Sequence, residues 1–293
     1  MIKIFLTGAS GKLGKTLYPF LKKNFNVFAV SYKNKFKFTD KLNLTDSTNL
    51  MKKLDNFSPD VIIHLASLTN IDECEKKLDL TYKTNISVIE NIARWCLKKK
   101  TRLIYISTDQ VYNNYGVNKE NDPVYPVNFY SLSKLIAEKI VSKLNNVIIL
   151  RTNFFGYFPE HKGSLINWFL NELKKKKKIN LVKDITFNPL YVETLCLLIK
   201  KIILKKKIKG IYNLGAQNKI SKGMLLYKLG KQLGFKSNLF NFVKSEKIKF
   251  FANRSKNMHM SVKKIENTLK IKMPKIEDEL NLLINKINKN YAI

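Results

Sequence analysis

Tyr130 and Lys134 have the side chains and the spacing for proton transfer. They open a predicted helix over residues 131–144, and positions four apart on a helix share one face, so both side chains can enter one cleft. A phenol with a pKa near ~10 transfers protons poorly at neutral pH. A lysine ammonium beside it favours the phenolate. We therefore expect Lys134 to lower the pKa of Tyr130 toward neutrality, where acid–base catalysis is most efficient.

A third polar side chain, Thr108, follows a predicted buried strand over residues 102–107. Its hydroxyl can donate a hydrogen bond to a substrate oxygen or accept one. A Tyr-x-x-x-Lys pair alone carries little information in a chain with 13 Tyr and many lysines. Preceded by Thr108 at a strand end, the pair predicts a catalytic group of Thr108, Tyr130 and Lys134.

Gly8, Gly11 and Gly14 lie between the first predicted strand, residues 2–7, and the first predicted helix. Glycine at such a junction permits a tight turn and lets backbone N–H groups approach a pyrophosphate. The N-terminus of the helix adds a partial positive charge. This loop, which includes Ser10, is therefore predicted to bind a dinucleotide, and the alternative is a purely structural turn.

The end of the second predicted strand, residues 25–31, bears on the choice of cofactor. An acidic residue there would hydrogen-bond the ribose hydroxyls of NAD, but the segment Val30-Ser31-Tyr32-Lys33 contains none. Ser31 and Lys33 can instead receive the extra phosphate of NADP. We expect NADPH, and NADH is the alternative if Lys33 is only a surface lysine.

Apolar strands alternate with helices, with further strands over residues 61–66, 102–107, 147–151 and 210–214 and a helix over about 80–99. This alternation predicts the α/β class, with a Rossmann-type, doubly wound parallel sheet covered on both faces. We expect a dinucleotide-binding Rossmann core over residues 1–156. A smaller C-terminal lobe over 157–293, mostly substrate-binding, is expected to interleave with the last strands of the core. In such sheets ligands bind at the carboxyl edge.

The net charge of +32 does not by itself predict a nucleic-acid partner. Lysines supply nearly all of it, whereas sequence-specific readers use arginine forks. The lysine run over residues 174–178 is interpreted as the solvated end of a helix. We expect no nucleic-acid partner, and a positive field that attracts an anionic cofactor and substrate.

Other features indicate a cytoplasmic protein with no metal site. No apolar run nears the ~20 residues that a membrane span needs, and the N-terminus carries no leader pattern, so no membrane partner is expected. Cys74, Cys96 and Cys196 lie far apart without metal-ligand spacing and are expected to be reduced thiols. His64, on an apolar strand, is interpreted as a packed core histidine.

Several longer segments resemble the dTDP-4-dehydrorhamnose reductase branch of the extended short-chain dehydrogenase/reductase family. They include Ser107-Thr-Asp-Gln-Val-Tyr112, the segment from Pro126 to Glu138, and Leu150-Arg-Thr-Asn-Phe-Phe-Gly156. The resemblance spans almost the whole chain and is densest up to Gly156. It implies reduction of a 4-keto-6-deoxysugar attached to a nucleoside diphosphate, with hydride from the nicotinamide and a proton from Tyr130. It also implies a homodimer.

The resemblance also implies roles for individual residues. The cofactor would contact Gly8, Ser10, Gly11, Lys12, Leu13, Gly14, Ser31, Lys33, Asn43, Leu44, Leu65, Ala66, Ser67, Tyr130 and Lys134. The substrate would contact Thr108, Asp109, Asn153, Phe154 and Arg254. Asn85 is either a structural residue near the lysine or an ordinary asparagine on a helix surface.

Three residues depart from the branch. Asn43 replaces its usual Asp, Phe154 stands where a Trp is expected, and Ser255 replaces a Pro after Arg254. Two alternatives remain open on the same fold: a nucleotide-sugar 4-epimerase and a non-catalytic NADP-binding regulatory subunit. A dehydratase is disfavoured because Gln110 is neutral where that reaction needs an acid.

Overall fold

The computed structural model of the chain describes residues 1–32, 38–161 and 163–290. Its central sheet has seven parallel strands in the order β11-β6-β5-β4-β1-β2-β3. In chain order the strands are β1 Lys3–Thr7, β2 Asn26–Ser31, β3 Asp40–Lys41, β4 Val61–His64, β5 Arg102–Ile106, β6 Val147–Thr152, β7 Phe154–Phe155, β8 Ile179–Val182, β9 Thr186–Phe187, β10 Leu190–Tyr191, β11 Gly210–Leu214, β12 Ile220–Ser221 and β13 Phe240–Val243. The predicted Rossmann-type sheet is confirmed.

Helices cover both faces of this sheet. They are α1 Lys12–Lys22, α2 Ser47–Phe57, α3 Ile71–Lys76, α4 Leu78–Tyr82, α5 Val88–Lys99, α6 Phe129–Val141, α7 Leu165–Lys174, α8 Val192–Leu204, α9 Lys222–Gln232, α10 Lys263–Leu269 and α11 Ile276–Asn290. Two helices begin at capping residues that the sequence provides. The side chain of Asp46 accepts from the backbone N–H of Asn49 at the start of α2, and the side chain of Asn128 accepts from the backbone N–H of Ser131 at the start of α6. In the part of the chain that the structure describes, no helix is both long and apolar enough to cross a membrane.

The core lies on both sides of the sheet because successive strand residues point to opposite faces. On one face Ile4, Leu6 and Ile63 join the cluster beneath α1 and α8. On the other face Phe5 and Ile62 join a second cluster with α2 and α5. All of these side chains are fully buried, which explains why the strands are apolar throughout rather than alternating.

The second half of the chain is interleaved with the first. β11 pairs in parallel with β6 and completes the central sheet. Outside that sheet, three two-stranded sheets pair β7 with β10, β9 with β12 and β8 with β13. Together with α7 and α9 to α11, these short strands form the structure beyond the carboxyl edge of the sheet.

The predicted helix over about residues 80–99 is present from Leu78 to Lys99, but it is not α-helical throughout. α4 ends at Tyr82, a π-helical turn occupies Lys83–Ser87, and α5 begins at Val88. The turn contains Asn85, which is buried and hydrogen-bonded outside its own helix. A π turn inserts one residue into a helix and re-aims the side chains within it.

Candidate active site

The glycine loop between β1 and α1 is packed too tightly for larger residues. Gly8 has φ +68°, and a Cβ there would lie 2.7 Å from the backbone nitrogen of Ala66. A Cβ on Gly14 would lie 2.3 Å from the carbonyl oxygen of Gly8. Gly11 is the N-cap of α1 and has no side chain to satisfy the first N–H groups of the helix. These groups therefore remain available for an anion such as a pyrophosphate.

A cleft of about 470 Å³ opens above this loop at the carboxyl edge of the sheet. Most of the predicted site residues line it, from both the cofactor set and the catalytic set. They are Gly8, Gly11, Lys12, Leu13, Gly14, Leu65, Ser67, Thr108, Tyr130, Lys134, Asn153 and Phe154. The fold therefore brings the glycine loop and the Thr–Tyr–Lys group into one cavity.

Other predicted site residues do not line this cleft: Ser10, Ser31, Asn43, Leu44, Ala66, Asp109 and Arg254. Ser31 is buried at the end of β2 and shares a 2.7 Å hydrogen bond with Thr39. Arg254 pairs with Asp72 at 2.9 Å and donates to the carbonyl oxygen of Ala252. Lys33, predicted to bind the extra phosphate of NADP, lies outside the described residues.

His64 is confirmed as a core histidine. Its Nδ1 lies 2.9 Å from the hydroxyl of Thr7, which also accepts from the N–H groups of Leu65 and Ala66. Because these two N–H groups occupy the acceptor sites of the hydroxyl, the hydroxyl donates its own hydrogen bond to Nδ1 of His64. Burial, and secondarily the charge on Lys134, lower the pKa of His64 to about 3. The strand β4 ends at His64, before the predicted limit at residue 66. The N–H groups of Leu65 and Ala66 bond to the Thr7 side chain and are therefore not available for backbone pairing in the sheet.

Asn85 is buried and holds the segment around Ser67, a residue that lines the cleft, so the surface alternative for Asn85 is wrong. Its side-chain oxygen accepts from Leu68 N at 2.8 Å and from the Ser67 hydroxyl at 3.0 Å. Its amide donates to Ser133 at 3.0 Å. Because Ser133 lies on α6 between Tyr130 and Lys134, Asn85 ties the Ser67 segment to that helix.

Lys134 lines the cleft and is almost completely buried. Its Nζ donates to the carbonyl oxygen of Ile106 at 2.7 Å and lies 4.2 Å from the ring centroid of Tyr105. Burial lowers the pKa of Lys134 to about 7, although the carboxylate of Glu138 acts in the opposite direction. The side chain can therefore gain or lose a proton near neutral pH.

The electrostatic environment of Tyr130 differs from the sequence-based expectation. Burial raises the pKa of Tyr130 above its ordinary value, and a hydrogen bond with Thr108 only partly offsets that effect. The expectation that Lys134 lowers this pKa toward neutrality is therefore wrong for the geometry observed. The ammonium of Lys134 contacts the carbonyl oxygen of Ile106 and the ring of Tyr105. Its own pKa near 7 also leaves Lys134 only partly charged at neutral pH.

A second polar group borders Thr108. Asp109 is fully buried and accepts from the amide of Asn153 at 2.8 Å. Burial raises the pKa of Asp109 to about 6, against the hydrogen bond from Asn153 and the positive charge of Lys222. Lys222, the first residue of α9, lines the cleft beside Phe187. The ammonium group of Lys222 therefore lines the cleft in addition to the predicted relay, and the buried carboxyl group of Asp109 lies next to Thr108 outside the lining.

A buried ion pair fixes α6 against the sheet. Arg151, on β6, donates to Glu138 at 2.7 Å, and both side chains are almost completely buried. Glu138 also accepts from Ser107, and Arg151 also donates to the hydroxyl of Tyr112 at 2.6 Å. These bonds hold the helix that carries Tyr130 and Lys134.

Gln110, His161 and Lys222 line the cleft but are absent from the predicted site. Gln110 Oε1 and His161 Nε2 are buried and have no hydrogen-bond partner among the described residues. Burial lowers the pKa of His161, and the nearby charges on Lys15 and Lys12 lower it further. Only Gln110 had a sequence signal, because it follows Thr108 and Asp109. The described residues contain no cluster of His, Cys, Asp and Glu suited to a metal ion.

The doubly wound sheet, the glycine loop and the Thr–Tyr–Lys cleft define the extended short-chain dehydrogenase/reductase class. Within that class, the chain belongs to the RmlD substrate binding domain family, whose profile matches residues 2–289.

Relatives with different activities match the chain at similar levels. A dTDP-4-dehydrorhamnose reductase of Aggregatibacter actinomycetemcomitans is 28% identical over 223 residues, covering 73% of each chain. The methionine adenosyltransferase 2 subunit beta of Xenopus laevis is 28% identical over 229 residues, covering 75% of this chain and 69% of that protein. The crystal structure of a dTDP-4-dehydrorhamnose reductase from Bacillus anthracis in complex with NADP superposes with a TM-score of 0.88. It is 26% identical and covers 98% of this chain and 100% of that one.

Proposed function

We propose that this chain is an NADPH-dependent reductase of a nucleotide-linked 4-keto-6-deoxysugar, similar to dTDP-4-dehydrorhamnose reductase. The observation that carries the proposal is the single cleft lined by the glycine loop and by Thr108, Tyr130 and Lys134. The family and the NADP-bound relative support the same activity. NADH remains the alternative cofactor.

The residues present fit a dinucleotide. The uncapped N-terminus of α1 suits a pyrophosphate. Lys12 and His161 also line the cleft, and Nε2 of His161 has no hydrogen-bond partner among the residues that the structure describes. Leu65 and Ser67 border the same cavity, and we keep Ser10, Ser31, Lys33, Asn43, Leu44 and Ala66 as proposed contacts of the nucleotide. When bound, the reduced nicotinamide would supply the hydride for the carbonyl carbon of the sugar.

The protein supplies the proton. Tyr130 donates its phenolic proton to the sugar oxygen as negative charge develops there, and Thr108 donates a hydrogen bond to the same oxygen. Burial keeps Tyr130 protonated until that step, because it holds the pKa of the phenol above its ordinary value. Lys134 can then pass a proton toward Tyr130, because its own pKa is about 7.

The substrate is proposed to bind at the opposite end of the cleft. Asn153 and Phe154 line it, and Asp109 holds Asn153 in place. Lys222 adds a cation to this end of the cleft, and Arg254, which pairs with Asp72 outside the lining, is close enough for its charge to lower the pKa of Lys222. Two neighbouring cations suit a diphosphate.

We further propose that residues 1–156 hold the cofactor and that residues 157–293 mostly hold the substrate. A homodimer is also proposed, in which surface helices of two copies pack together. The exposed Leu132 on α6 supports this proposal. Light scattering on the purified protein tests that state. A cytoplasmic location is proposed because Cys74, Cys96 and Cys196 are all free thiols.

The test is to mix the protein with NADPH and a panel of nucleotide-linked 4-keto-6-deoxysugars and to follow the absorbance of the reduced nicotinamide. Oxidation with one member supports the reductase and identifies the sugar. Tight NADPH binding without oxidation of any member contradicts it. That result favours a non-catalytic binding subunit, a candidate that the methionine adenosyltransferase relatives support. Interconversion of a sugar epimer without net oxidation favours a 4-epimerase.

A further inference from the structure

The edge of the sheet opposite the cleft carries two short segments with the same pattern. In each, an exposed leucine at a helix end is followed directly by lysines. The first segment, residues 97–100, is Leu-Lys-Lys-Lys at the end of α5, and the second, residues 204–209, is Leu-Lys-Lys-Lys-Ile-Lys at the end of α8. Leu97 is 63% exposed and Leu204 is 58% exposed. We name these two segments together the basic edge.

Arg102 brings the two segments together. It begins β5, two residues after Lys100, and its guanidinium donates to the carbonyl oxygens of Ile203 and Lys205, each at 2.9 Å. The buried Arg102 side chain therefore bonds to the last turn of α8, directly beside Leu204. Because both helices end at the amino edge of parallel strands, the leucines and lysines belong to one end of the molecule, away from the cleft.

The positive charge of the basic edge is poorly compensated. Of its lysines, only Lys99 has an ion-pair partner within the described residues, Asp55 at 3.0 Å. The others are exposed to solvent. A protein surface that combines unpaired cations with exposed leucines matches an interface with negative charge outside and hydrocarbon beneath.

We propose that the basic edge docks on an anionic lipid bilayer. The lysines would contact lipid headgroup phosphates and carboxylates, and Leu97 and Leu204 would enter the boundary between headgroups and acyl chains. This peripheral contact departs from the expectation that the chain has no membrane partner, which was drawn from the lack of a spanning segment. It does not depend on the reaction proposed for the cleft.

A nucleic acid fits the basic edge less well. Exposed leucines gain nothing from a phosphate backbone, and nucleic-acid surfaces use arginine forks or stacked aromatics. Arg102 is already bonded to α8. The chain also provides an internal comparison, because the lysine run over residues 174–178 is longer but follows Leu173, which is 1% exposed. That run has charge without an exposed leucine.

The experiment measures co-sedimentation of the full chain with vesicles of phosphatidylcholine, with and without phosphatidylserine. We expect binding only to the anionic vesicles, and weaker binding as salt rises. Replacing Lys98, Lys100, Lys205, Lys206 and Lys207 by Gln is expected to weaken binding by about tenfold or more. The matched control replaces the five lysines at positions 174–178 by Gln and removes the same charge elsewhere.

A second variant pair tests the leucines. Replacing Leu97 and Leu204 by Asn is expected to weaken vesicle binding by about tenfold, since two buried apolar side chains are lost. Leu282→Asn, at a leucine 46% exposed on α11, is expected to leave binding unchanged. NADPH affinity confirms that each variant is folded. Equal losses in the lysine variant and its control, no loss in the leucine variant, or binding to duplex DNA but not to anionic vesicles would each overturn the proposal.

Discussion

The ammonium of Lys134 lies 2.7 Å from the carbonyl oxygen of Ile106. This hydrogen bond joins α6 to the end of β5, two residues before Thr108. The distance between Thr108 and Tyr130 therefore depends on a lysine that is buried against the strand. The pKa of the same lysine is about 7, so a single side chain combines a positioning contact with a group that can exchange a proton near neutral pH.

Tyr130→Phe is expected to lower kcat by about 10²–10⁴-fold, because it removes the proposed acid and leaves the ring in place. NADPH affinity, measured by fluorescence titration, is expected to stay within a few-fold of wild type. Tyr125→Phe is the control, because Tyr125 is 56% exposed. Turnover by Tyr130→Phe close to wild type would exclude the relay.

Lys222→Met is expected to raise KM for the nucleotide sugar by about tenfold or more, because the variant loses a charge-assisted hydrogen bond to the substrate. NADPH affinity should not change. Lys219→Met removes the same charge from an exposed neighbour and should leave KM unaltered. Steady-state kinetics separates KM from kcat, and equal effects of the two substitutions would remove Lys222 from the substrate site.

Gly14→Ala is expected to destabilise the protein by about 1–3 kcal/mol, the usual effect of overpacking. Its Cβ would lie 2.3 Å from the carbonyl oxygen of Gly8, so the loop must move and NADPH should bind more weakly. Gly163→Ala is the control, since a Cβ there meets no atom within 4 Å. Urea unfolding and NADPH titration of both variants test this, and unchanged NADPH binding by Gly14→Ala would contradict the role of the loop.

Arg151→Met is expected to cost about 3–5 kcal/mol, because it leaves Glu138 as a buried charge without its partner. The double variant with Glu138→Leu should recover part of that loss. Urea unfolding of the wild type, both single variants and the double variant measures the coupling. Strictly additive losses would show that the two side chains do not act as a pair.

Glu279 gives a prediction for the pH dependence of stability. It is buried on α11 and accepts from the backbone N–H of Tyr191 and from Thr194 at 2.9 Å, yet burial raises the pKa of Glu279 to about 7. The unfolded chain loses this proton near pH 4.5 and the folded chain only near 7, so the contribution of Glu279 to stability falls across that window and is level above it.

Glu279→Gln removes this titration. Relative to the variant, the wild type is expected to lose up to about 3 kcal/mol of unfolding free energy between pH 5 and pH 8. Urea unfolding of both proteins at each pH gives the difference, which cancels contributions from other groups. A difference that stays constant with pH would show that Glu279 ionises in the folded protein at an ordinary pKa.

Local sequence signals predicted the sheet, the glycine loop and the Tyr–Lys pair. Gly8, Gly11 and Gly14 are neighbours along the chain, and Tyr130 and Lys134 share one helix face, so spacing alone brings each group together. Lys222 and the pairing of Arg254 with Asp72 depend on contacts between distant segments and have no local pattern. The direction of the pKa shift at Tyr130 could not be predicted for a related reason. That shift depends on how deeply the phenol is buried, and burial follows from tertiary packing rather than from residue spacing.

The place of β11 has a consequence for synthesis of the chain. β11 pairs with β6 along Gly210–Leu214, after the chain has passed through β7 to β10. A nascent chain that ends at residue 156 presents β6 as an open, apolar edge, and such edges favour aggregation. The cofactor-binding half can therefore complete its sheet only after Leu214 has left the ribosome, so a truncated first half is a poor candidate for independent expression.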